Sequence, residues 1–374
     1  MPSLKIKLPL IKASAEGSTV NIQYNPPMGL SGYLNLGNTC FLNSCIQVLN
    51  HTYELIALHS ALTQKHCDET NLWNEYDKLR TATLVSNKLI NPLPFVRMVH
   101  ELAMKKGKIL FTGWAQNDLP EFLLFMIDAM HTSICRKTST HVLTVNPSTN
   151  NSSKDNLAKL CLETLGELYS AEYSEIMELF YGLYVSKIAS IETLSSHSFK
   201  PEPFFILDLP IPPNTQPPIH LLDCLNEFIK IEHLDGDNKW MNEDTQNKES
   251  ATKQILFWSL PPILVICLKR FTATGEKIHS FVDFPIENLN LSSYVVGYTP
   301  EIYNYDLFGV CNHIGTTMGG HYTSFVKNMI SGENADDSQW ISYDDSHASL
   351  IPTPKSIITP LAYCLFYRRK NMIA

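Results

Sequence analysis

The first half of the chain is predicted to be mainly helical, because apolar residues recur there every three to four positions. One helix is predicted from Thr39, a suitable N-cap residue, to about residue 58. Further helices are predicted over residues 71–83, 94–105, 118–134 and 155–168. The segment 136–155 is rich in Ser, Thr and Asn, which is typical of a surface loop.

The second half consists of short segments rich in β-branched and aromatic residues and bounded by Pro, Gly or Asn. The predicted strands are residues 179–189, 204–211, 255–271, 305–311, 321–327, 340–343 and 362–369. The Pro-rich segment 210–218 and the polar segment 234–250 are predicted loops. Because helices come first and strands later, the pattern indicates an α+β fold.

Residues 1–29 are interpreted as an N-terminal extension ahead of one large domain over residues 30–374. Apolar residues alternate with others over residues 4–10, which predicts one edge strand. The turn material Asn25-Pro26-Pro27 then separates this extension from the domain.

Composition and charge exclude several classes of protein. The formal net charge is −8, whereas nucleic-acid-binding proteins normally present a basic surface. The longest apolar stretch, residues 260–268, contains two prolines and is too short to span a bilayer, and no signal-peptide pattern opens the chain. Nine scattered cysteines without a C-x-x-C pair indicate reduced thiols. We therefore expect an intracellular protein, cytoplasmic and/or nuclear, that binds neither nucleic acid nor membrane.

The first candidate for chemistry is Cys40, which follows a glycine-punctuated turn and opens the first predicted helix. A helix N-terminus lowers the pKa of a thiol, because its free N–H groups and positive dipole end stabilise the thiolate. Asn35, five residues upstream, is placed to donate its amide to a developing oxyanion. By position alone, Cys40 fits a small buried core residue equally well.

Two further candidates lie in predicted strands near the end of the chain. His321 follows two glycines at the start of one strand, and Asp344 and Asp345 end the next. If these strands pair antiparallel, Asp344 lies beside His321 and can orient its imidazole. Each of these residues alone is more often structural. Together with Cys40 they supply a nucleophile, a base and an orienting carboxylate in papain-like order.

The residues around these candidates resemble the ubiquitin-specific proteases, the large cysteine-protease family of deubiquitinases. Five boxes occur in the family's order over roughly residues 30–370, which is far more specific than a single box. The matching segments are Gly-Tyr-Leu-Asn-Leu-Gly-Asn-Thr-Cys40-Phe-Leu-Asn-Ser, Gln116-Asn-Asp118-Leu-Pro-Glu121-Phe-Leu, Leu-Lys-Arg270-Phe, the stretch from Tyr305 through Asn312-His313 and Gly-Gly-His321-Tyr-Thr to Trp340 and Tyr-Asp-Asp-Ser, and Ala362-Tyr-Cys-Leu-Phe-Tyr-Arg-Arg.

The resemblance implies a papain-like α+β fold with a helical thumb over about residues 30–150, and a β-rich palm and β fingers over about residues 151–374. It implies that Cys40 is the nucleophile, His321 the general base and Asp344 the third triad member. Asn35 would be the oxyanion donor, and Asp345 would support the same imidazole or oxyanion region.

The resemblance also implies a set of substrate-binding residues. They are Gln116, Asp118, Glu121, Gly319, Gly320 and Tyr322. Asp118 and Glu121 would face the arginines of ubiquitin's C-terminal tail, although without the family context a solvated helix face explains them better. The glycines would line a narrow channel that admits only a Gly-Gly tail, since substrate side chains would clash there.

The chain departs from the family where most members bind a structural zinc through two C-x-x-C pairs at the fingertips. The corresponding positions are Ser190, Thr193, Asn242 and Thr245, which are poor zinc ligands. We therefore expect no metal and no cofactor; a site rebuilt around His197, with Glu192 and Glu243 nearby, is the alternative. A replacement core is expected from Tyr184, Ile188, Ile191, Trp240 and Met241.

The sequence therefore predicts a deubiquitinating cysteine protease that hydrolyses the bond after the C-terminal glycine of ubiquitin. Its partners would be ubiquitin and ubiquitinated proteins, and a regulatory partner is left open. One alternative is a protease for another ubiquitin-like modifier, because those tails also end in Gly-Gly. The other is a non-catalytic ubiquitin-binding scaffold, against which the filled triad positions count.

Overall fold

The computed structural model describes residues 30–61, 65–137, 153–191, 196–213, 218–242, 245–317, 319–328 and 339–370. The N-terminal extension with its predicted edge strand lies outside these residues, as does most of the predicted loop 136–155. Within the described residues, helices dominate up to about residue 180 and strands after it, which confirms the α+β class.

The helices follow the predicted pattern, with one break and two additions. They are α1 (Cys40–Asn50), α2 (Tyr53–Ala61), α3 (Asp68–Val85), α4 (Leu93–Lys105), α5 (Leu119–Ile134), α6 (Ser153–Glu172), α7 (Glu175–Phe180) and α8 (Leu221–Phe228). The predicted first helix breaks between α1 and α2, where the N–H groups of His51 and Thr52 bond back only three residues. The unpredicted helix α7 is capped by Ser174, whose hydroxyl accepts from the N–H of Met177. The other addition is α8.

The described strands include every predicted one, with one division and several additions. They are β1 (Gly182–Ser190), β2 (Ser196–Phe204), β3 (Ile206–Pro210), β4 (Ile219–His220), β5 (Glu232–Leu234), β6 (Trp240–Asn242), β7 (Asn247–Glu249), β8 (Ala251–Ser259), β9 (Ile263–Lys269), β10 (Val282–Asp283), β11 (Leu289–Asn290), β12 (Asn304–Thr316), β13 (Gly319–Asn328), β14 (Gln339–Asp344), β15 (His347–Ile351) and β16 (Ala362–Arg369). The predicted strand 255–271 is two strands, β8 and β9, because Pro261 and Pro262 between them cannot donate ladder hydrogen bonds. The predicted loop 234–250 contains the β6–β7 hairpin. The other additions are β2, β15 and the short strands β4, β5, β10 and β11.

Two sheets carry most of the strands. The palm sheet has the order β15-β14-β13-β12-β16-β9-β3, with β11 beside β12. The fingers sheet has the order β2-β1-β8-β5. Helix α6 covers the fingers sheet through Ala158 and Cys161, which pack against Leu183, Val185 and Trp258. Within the described residues, each helix is too short or too polar to cross a bilayer.

Helix α1 lies at the centre of the molecule, and all eleven of its residues are buried. It packs between α5 and the palm strands β12, β13 and β14. The close approach requires a glycine on the sheet, since a Cβ at Gly309 would lie 2.6 Å from Cγ1 of Val48. This enclosure fixes the N-terminal residue of α1, Cys40, relative to the palm sheet.

Candidate active site

Cys40 is the first residue of α1 and is only 2% exposed. Its sulfur lies against the backbone N–H of Tyr322 in β13, so the thiol faces the palm sheet. Burial raises the pKa of Cys40, and the negative charge of Asp345 raises it further, while the N–H groups of Tyr322 and Phe41 lower it. The N–H groups at the helix N-terminus therefore do lower the pKa of the thiol, as expected, but the desolvation of the thiol raises it by more.

Thr39 occupies the predicted N-cap position without capping the helix through its side chain. Its hydroxyl instead accepts from the N–H of Leu36 at 3.0 Å. This bond closes the turn that precedes Cys40, so Thr39 stabilises the loop and leaves the N–H groups of the first helical turn uncapped by its hydroxyl.

His321 and Asp344 are brought together by the pairing of β13 with β14. The strands are antiparallel, as predicted, with Ser324 opposite Tyr343. Nε2 of His321 lies 2.7 Å from Oδ1 of Asp344, and the His321 side chain is 37% exposed. Because Nε2 is engaged by the carboxylate, Nδ1 is the ring nitrogen left to exchange a proton with a thiol.

Asp345 is held by a different set of residues. Its Oδ2 accepts from Nδ2 of Asn35 at 2.8 Å, and its Oδ1 accepts from Nδ2 of Asn43 at 2.7 Å. Its backbone is left-handed, with φ 46°, and its carbonyl accepts from the N–H of Tyr33 at 2.7 Å. The two neighbouring aspartates thus have separate partners, one a histidine and the other two asparagines.

A glycine is required where the strand segment before Cys40 passes the Asp345 turn. A Cβ at Gly32 would lie 2.4 Å from the backbone carbonyl carbon of Ser346, a distance that real contacts do not reach. Gly32 therefore allows the chain around Tyr33 to bond directly to the Asp345 carbonyl.

Gln116 joins the loop before α5 to the palm sheet. Its Nε2 donates to the carbonyl of Gly320 at 2.7 Å, and its Oε1 accepts from the N–H of Gly320 at 2.7 Å. A Cβ at Gly319 would lie 2.7 Å from Oε1 of Gln116, so a larger residue there would displace the amide. The predicted substrate-binding residues Gln116, Gly319 and Gly320 thus form one contact at the start of β13, next to His321.

Asp118, the residue before α5, lies half-buried at the wall of a cleft with a volume of about 280 Å³. Its two carboxylate oxygens accept from the hydroxyls of Tyr322, at 2.9 Å, and Tyr363, at 3.2 Å. Burial raises the pKa of Asp118. Glu121, one turn later, is exposed. The solvated-face interpretation therefore fits Glu121 but not Asp118.

The cleft also contains residues to which the sequence pattern assigned no role. It is lined by Gln116, Asn117, Asp118, Phe271, His313, Thr316, Thr317, Gly319, Gly320, Tyr322 and Tyr363. His313 lies beside the ring of Tyr322 with centroids 4.7 Å apart, and burial lowers its pKa to about 4. A neutral imidazole and a phenylalanine therefore line the same cleft as the Asp118 carboxylate and its two tyrosine partners.

The sequence matches the family described as Ubiquitin carboxyl-terminal hydrolase over residues 31–367. That range contains every site residue described above. The chain belongs to the ubiquitin carboxyl-terminal hydrolase family. Membership confirms the resemblance seen in the sequence and, together with the helices and sheets described above, the papain-like α+β fold.

Curated members of the hydrolase family are similar over most of this chain. Ubiquitin carboxyl-terminal hydrolase 2 of Homo sapiens is 33% identical over 358 residues, which cover 91% of this chain and 55% of that protein. The hydrolase 2 of Gallus gallus is 33% identical over 357 residues and is covered to 93% of its length. The chain thus spans about half the length of the mammalian relatives it matches.

Solved structures give the same result for the fold. The SAGA Ubp8/Sgf11/Sus1/Sgf73 DUB module bound to ubiquitin aldehyde contains a chain with a TM-score of 0.64 and 25% sequence identity. The match covers 93% of this chain and 71% of that one. The same module bound to monoubiquitin matches with a TM-score of 0.64 and 26% identity.

At the fingertips of this hydrolase-family chain, a polar network occupies two of the expected zinc positions. Nδ2 of Asn242 donates to Oε1 of Glu249 at 3.1 Å, and the hydroxyl of Thr245 donates to the same oxygen at 2.7 Å. The expected apolar replacement core is wrong for Ile191 and Met241, which are 37% and 47% exposed. Hydrogen bonds across the β6–β7 turn take its place.

Of the remaining expected fingertip residues, some are buried or packed, some lie outside the described residues, and Ser190 and Trp240 are partly buried at the ends of β1 and β6. Ile188 is buried, and Tyr184 stacks on Phe204 with centroids 5.7 Å apart. Thr193, Glu192 and Glu243, and the side chain of His197, lie outside the described residues. Within the described residues, the one grouping of three side chains able to hold a metal is His321, Asp344 and Asp345.

Proposed function

We propose that this chain is a deubiquitinating cysteine protease that hydrolyses the bond after the C-terminal glycine of ubiquitin on conjugated proteins. The observation that carries the proposal is the placement of Cys40 against the N–H of Tyr322, one residue after the His321 ring that bonds Asp344 at 2.7 Å. Family membership supports the same chemistry, because the curated relatives are named ubiquitin carboxyl-terminal hydrolases.

The reaction begins with attack of the Cys40 sulfur on the carbonyl carbon of the terminal glycine. His321 takes the thiol proton through Nδ1 and then delivers it to the departing lysine amine as the C–N bond breaks. Asp344 holds the imidazole in the required tautomer through Nε2. Water, activated by His321, hydrolyses the thioester and regenerates the thiol.

The oxyanion of the tetrahedral intermediate is stabilised by N–H donors near Cys40. Asn35 supplies one, since a primary amide has two hydrogens and only one is engaged by Asp345. The N–H of Cys40 supplies another, because it belongs to the first turn of α1 and has no intrahelical partner. Such donors act most strongly where water is excluded.

The cleft beside this centre suits a basic, extended tail. Asp118 supplies a carboxylate in a partly desolvated wall, where its attraction to an arginine is stronger than in water. Gly319 and Gly320 pack so closely against Gln116, Ile314 and His313 that a Cβ at either position would clash. The proposed role of this closely packed wall is to face the glycine backbone of the tail. Ubiquitin and ubiquitinated proteins are therefore the proposed partners.

The test is covalent labelling with ubiquitin that carries a C-terminal electrophile, together with hydrolysis of a C-terminal fluorogenic amide of ubiquitin. Wild type is expected to form a one-to-one adduct that Cys40→Ala abolishes. Cys45→Ala is the matched control, because Cys45 is a fully buried thiol on the same helix. Labelling that persists in Cys40→Ala, or that disappears in Cys45→Ala, would refute the assignment.

The two alternatives are outcomes of the same experiment. Probes built on other ubiquitin-like modifiers are added in parallel at equal concentration. Faster labelling by one of them than by ubiquitin would identify a protease for that modifier. Tight binding of ubiquitin without adduct formation or hydrolysis would identify a non-catalytic scaffold.

A further inference from the structure

Asn43 lies one helical turn after Cys40 and is 2% exposed. Its Nδ2 donates to Oδ1 of Asp345 at 2.7 Å and to the carbonyl of Leu34 at 3.4 Å. Its Oδ1 is buried and has no hydrogen-bond partner among the described residues. Since an unpartnered buried oxygen costs stability, packing alone does not account for an amide here. Its N–H groups are the part of the side chain that the site uses.

A continuous line of contacts leads from Asn43 to the oxyanion donor. The Asp345 carboxylate accepts a hydrogen bond from Nδ2 of Asn43 on Oδ1, at 2.7 Å, and one from Nδ2 of Asn35 on Oδ2, at 2.8 Å. Oδ1 of Asn35 accepts from the N–H groups of Gly37 and Thr39, at 3.0 and 3.2 Å. The Asn35 amide therefore cannot flip without losing these bonds, and its Nδ2 must face Asp345.

We infer that Asn43 is a positioning residue that holds the Asp345 carboxylate and thereby aims the Asn35 amide at the oxyanion. The inference rests on the proposed function. The backbone of Asp345 is already fixed by its left-handed conformation and by Tyr33, but neither contact prevents rotation of the carboxylate. Asn43 supplies that restraint from a helix enclosed on all sides, which is the rigid support that a preorganised donor needs.

Asn43 also limits a cost of placing a carboxylate beside the nucleophile. The charge of Asp345 disfavours the thiolate of Cys40. Two amide donors place partial positive charge against both carboxylate oxygens, which weakens the effect of that charge on the thiolate. Both effects predict that Asn43 acts on the chemical step and leaves substrate binding unchanged.

The experiment compares Asn43→Ala with Asn50→Ala in hydrolysis of the fluorogenic ubiquitin amide. Asn50 is a matched control, because it is fully buried on the same helix and has an unpartnered Oδ1 among the described residues. Like Asn43 it donates two hydrogen bonds through Nδ2, here to the hydroxyl of Tyr33 at 2.8 Å and to Oε1 of Gln47 at 3.4 Å. We expect Asn43→Ala to lower kcat by about 10- to 100-fold, somewhat less than the loss of a direct oxyanion donor, with KM within about threefold. Asn50→Ala is expected to keep kcat within about threefold while lowering the melting temperature similarly.

A double-variant cycle shows whether Asn43 acts through Asn35. In an Asn35→Ala background, Asn43→Ala is expected to lower kcat by less than about threefold, because the donor it aims is already absent. Full additivity of the two losses would overturn the inference. Equal kcat losses in Asn43→Ala and Asn50→Ala would also overturn it.

Asn43→Asp keeps the side-chain shape and provides a second readout if Asn43→Ala does not fold. The variant faces Asp345 with a second acceptor, so its kcat relative to wild type should be low at pH 8 and rise as the pH falls and the introduced carboxyl becomes a donor. A ratio that does not change with pH would contradict the inference. A wild-type chain that does not hydrolyse the ubiquitin amide would overturn the proposed function itself, which separates the two failures.

Discussion

Tyr322 donates its hydroxyl to Oδ1 of Asp118 over 2.9 Å, and this bond joins the strand that carries His321 to the start of helix α5. Tyr363 of β16 donates to the other carboxylate oxygen at 3.2 Å. The carboxylate is thereby oriented by two palm strands although it belongs to the thumb side of the cleft. Burial raises the pKa of Asp118, so keeping this carboxylate charged costs folding free energy.

Asp118→Asn should weaken binding of a basic tail while sparing the chemistry, because the amide keeps an acceptor for Tyr322 but loses the charge. We expect KM for the fluorogenic ubiquitin amide to rise by about 5- to 30-fold, a loss of roughly 1 to 2 kcal/mol. kcat is expected to stay within about twofold. Wild-type KM should also rise with ionic strength, since screening weakens the attraction.

The pH dependence follows from the raised pKa of Asp118. As pH falls, this carboxylate is protonated before an ordinary aspartate would be, so KM should begin to rise at a correspondingly higher pH. The matched control is Glu121→Gln, which removes an exposed carboxylate nearby. An unchanged KM in Asp118→Asn would return Asp118 to a purely structural role.

The free Cys40 thiol is expected to be mainly protonated at neutral pH, because burial raises its pKa above the usual value for cysteine. The rate of alkylation of Cys40 by iodoacetamide, followed by peptide mass spectrometry, should therefore still rise as pH passes through about 9. Cys40→Ala identifies the signal. A rate that levels off below about pH 8 would indicate a resting thiolate and contradict this expectation.

Asp344 and Asp345 should give separable kinetic defects because they contact different residues. Asp344→Asn should lower kcat by on the order of 10²-fold or more through the wrong imidazole tautomer, and His321→Ala should abolish nearly all turnover. Asp344→Ala should leave some activity, because Asp345 can then orient His321 in place of Asp344. The side-chain oxygen and nitrogen atoms of His321, Asp344 and Asp345 that could make this contact all lie within 4.8 Å of one another.

The control for this prediction is Asp345→Asn, which removes the acceptor shared by Asn35 and Asn43 without touching the bond between His321 and Asp344. Its loss of kcat should multiply with that of Asp344→Asn. If Asp345→Ala were the more damaging change and Asp344→Ala nearly neutral, Asp345 would be the residue that orients His321.

The sequence predicts which catalytic candidates meet, because each lies in a short motif at the end of a helix or strand that the hydrophobic pattern predicts clearly. A helix beginning at Cys40 and two adjacent strands around His321 and Asp344 suffice to place the candidate triad. The contacts of Asp118 with Tyr322 and Tyr363 could not be predicted in this way. They depend on how the start of α5 meets the palm strands β13 and β16, which local periodicity does not specify.

The role of Asn43 was also hidden, since a buried asparagine inside an apolar helix pattern gives no directional signal. The hints are the pattern violation itself, a polar residue at a core position of α1, and the position of Asn43 inside the matching segment around Cys40. Similarly, the sequence shows that the fingertip lacks cysteine ligands, but it does not show that hydrogen bonds replace them. The β6–β7 hairpin falls in a segment whose polarity indicates a loop.

The fingertip is predicted to fold without metal, with Glu249 as its central acceptor. Asn242 and Thr245 both donate to Oε1 of Glu249, so this carboxylate joins the two positions where zinc ligands would stand. Glu249→Ala should lower the free energy of unfolding by about 1 to 3 kcal/mol, since two donors lose their acceptor. The measurement is chemical denaturation, with Met241→Ala, an exposed residue of the same hairpin, as the control.

Metal removal completes this prediction. Because hydroxyl and amide groups are poor zinc ligands, purified protein should contain no stoichiometric zinc, and a chelator should change neither the melting temperature nor the hydrolysis of ubiquitin amide. A structural zinc contributes folding free energy directly, so its removal would be evident in both measurements. One zinc per chain by elemental analysis, released together with a fall in melting temperature, would contradict the prediction and direct attention to His197 as a ligand.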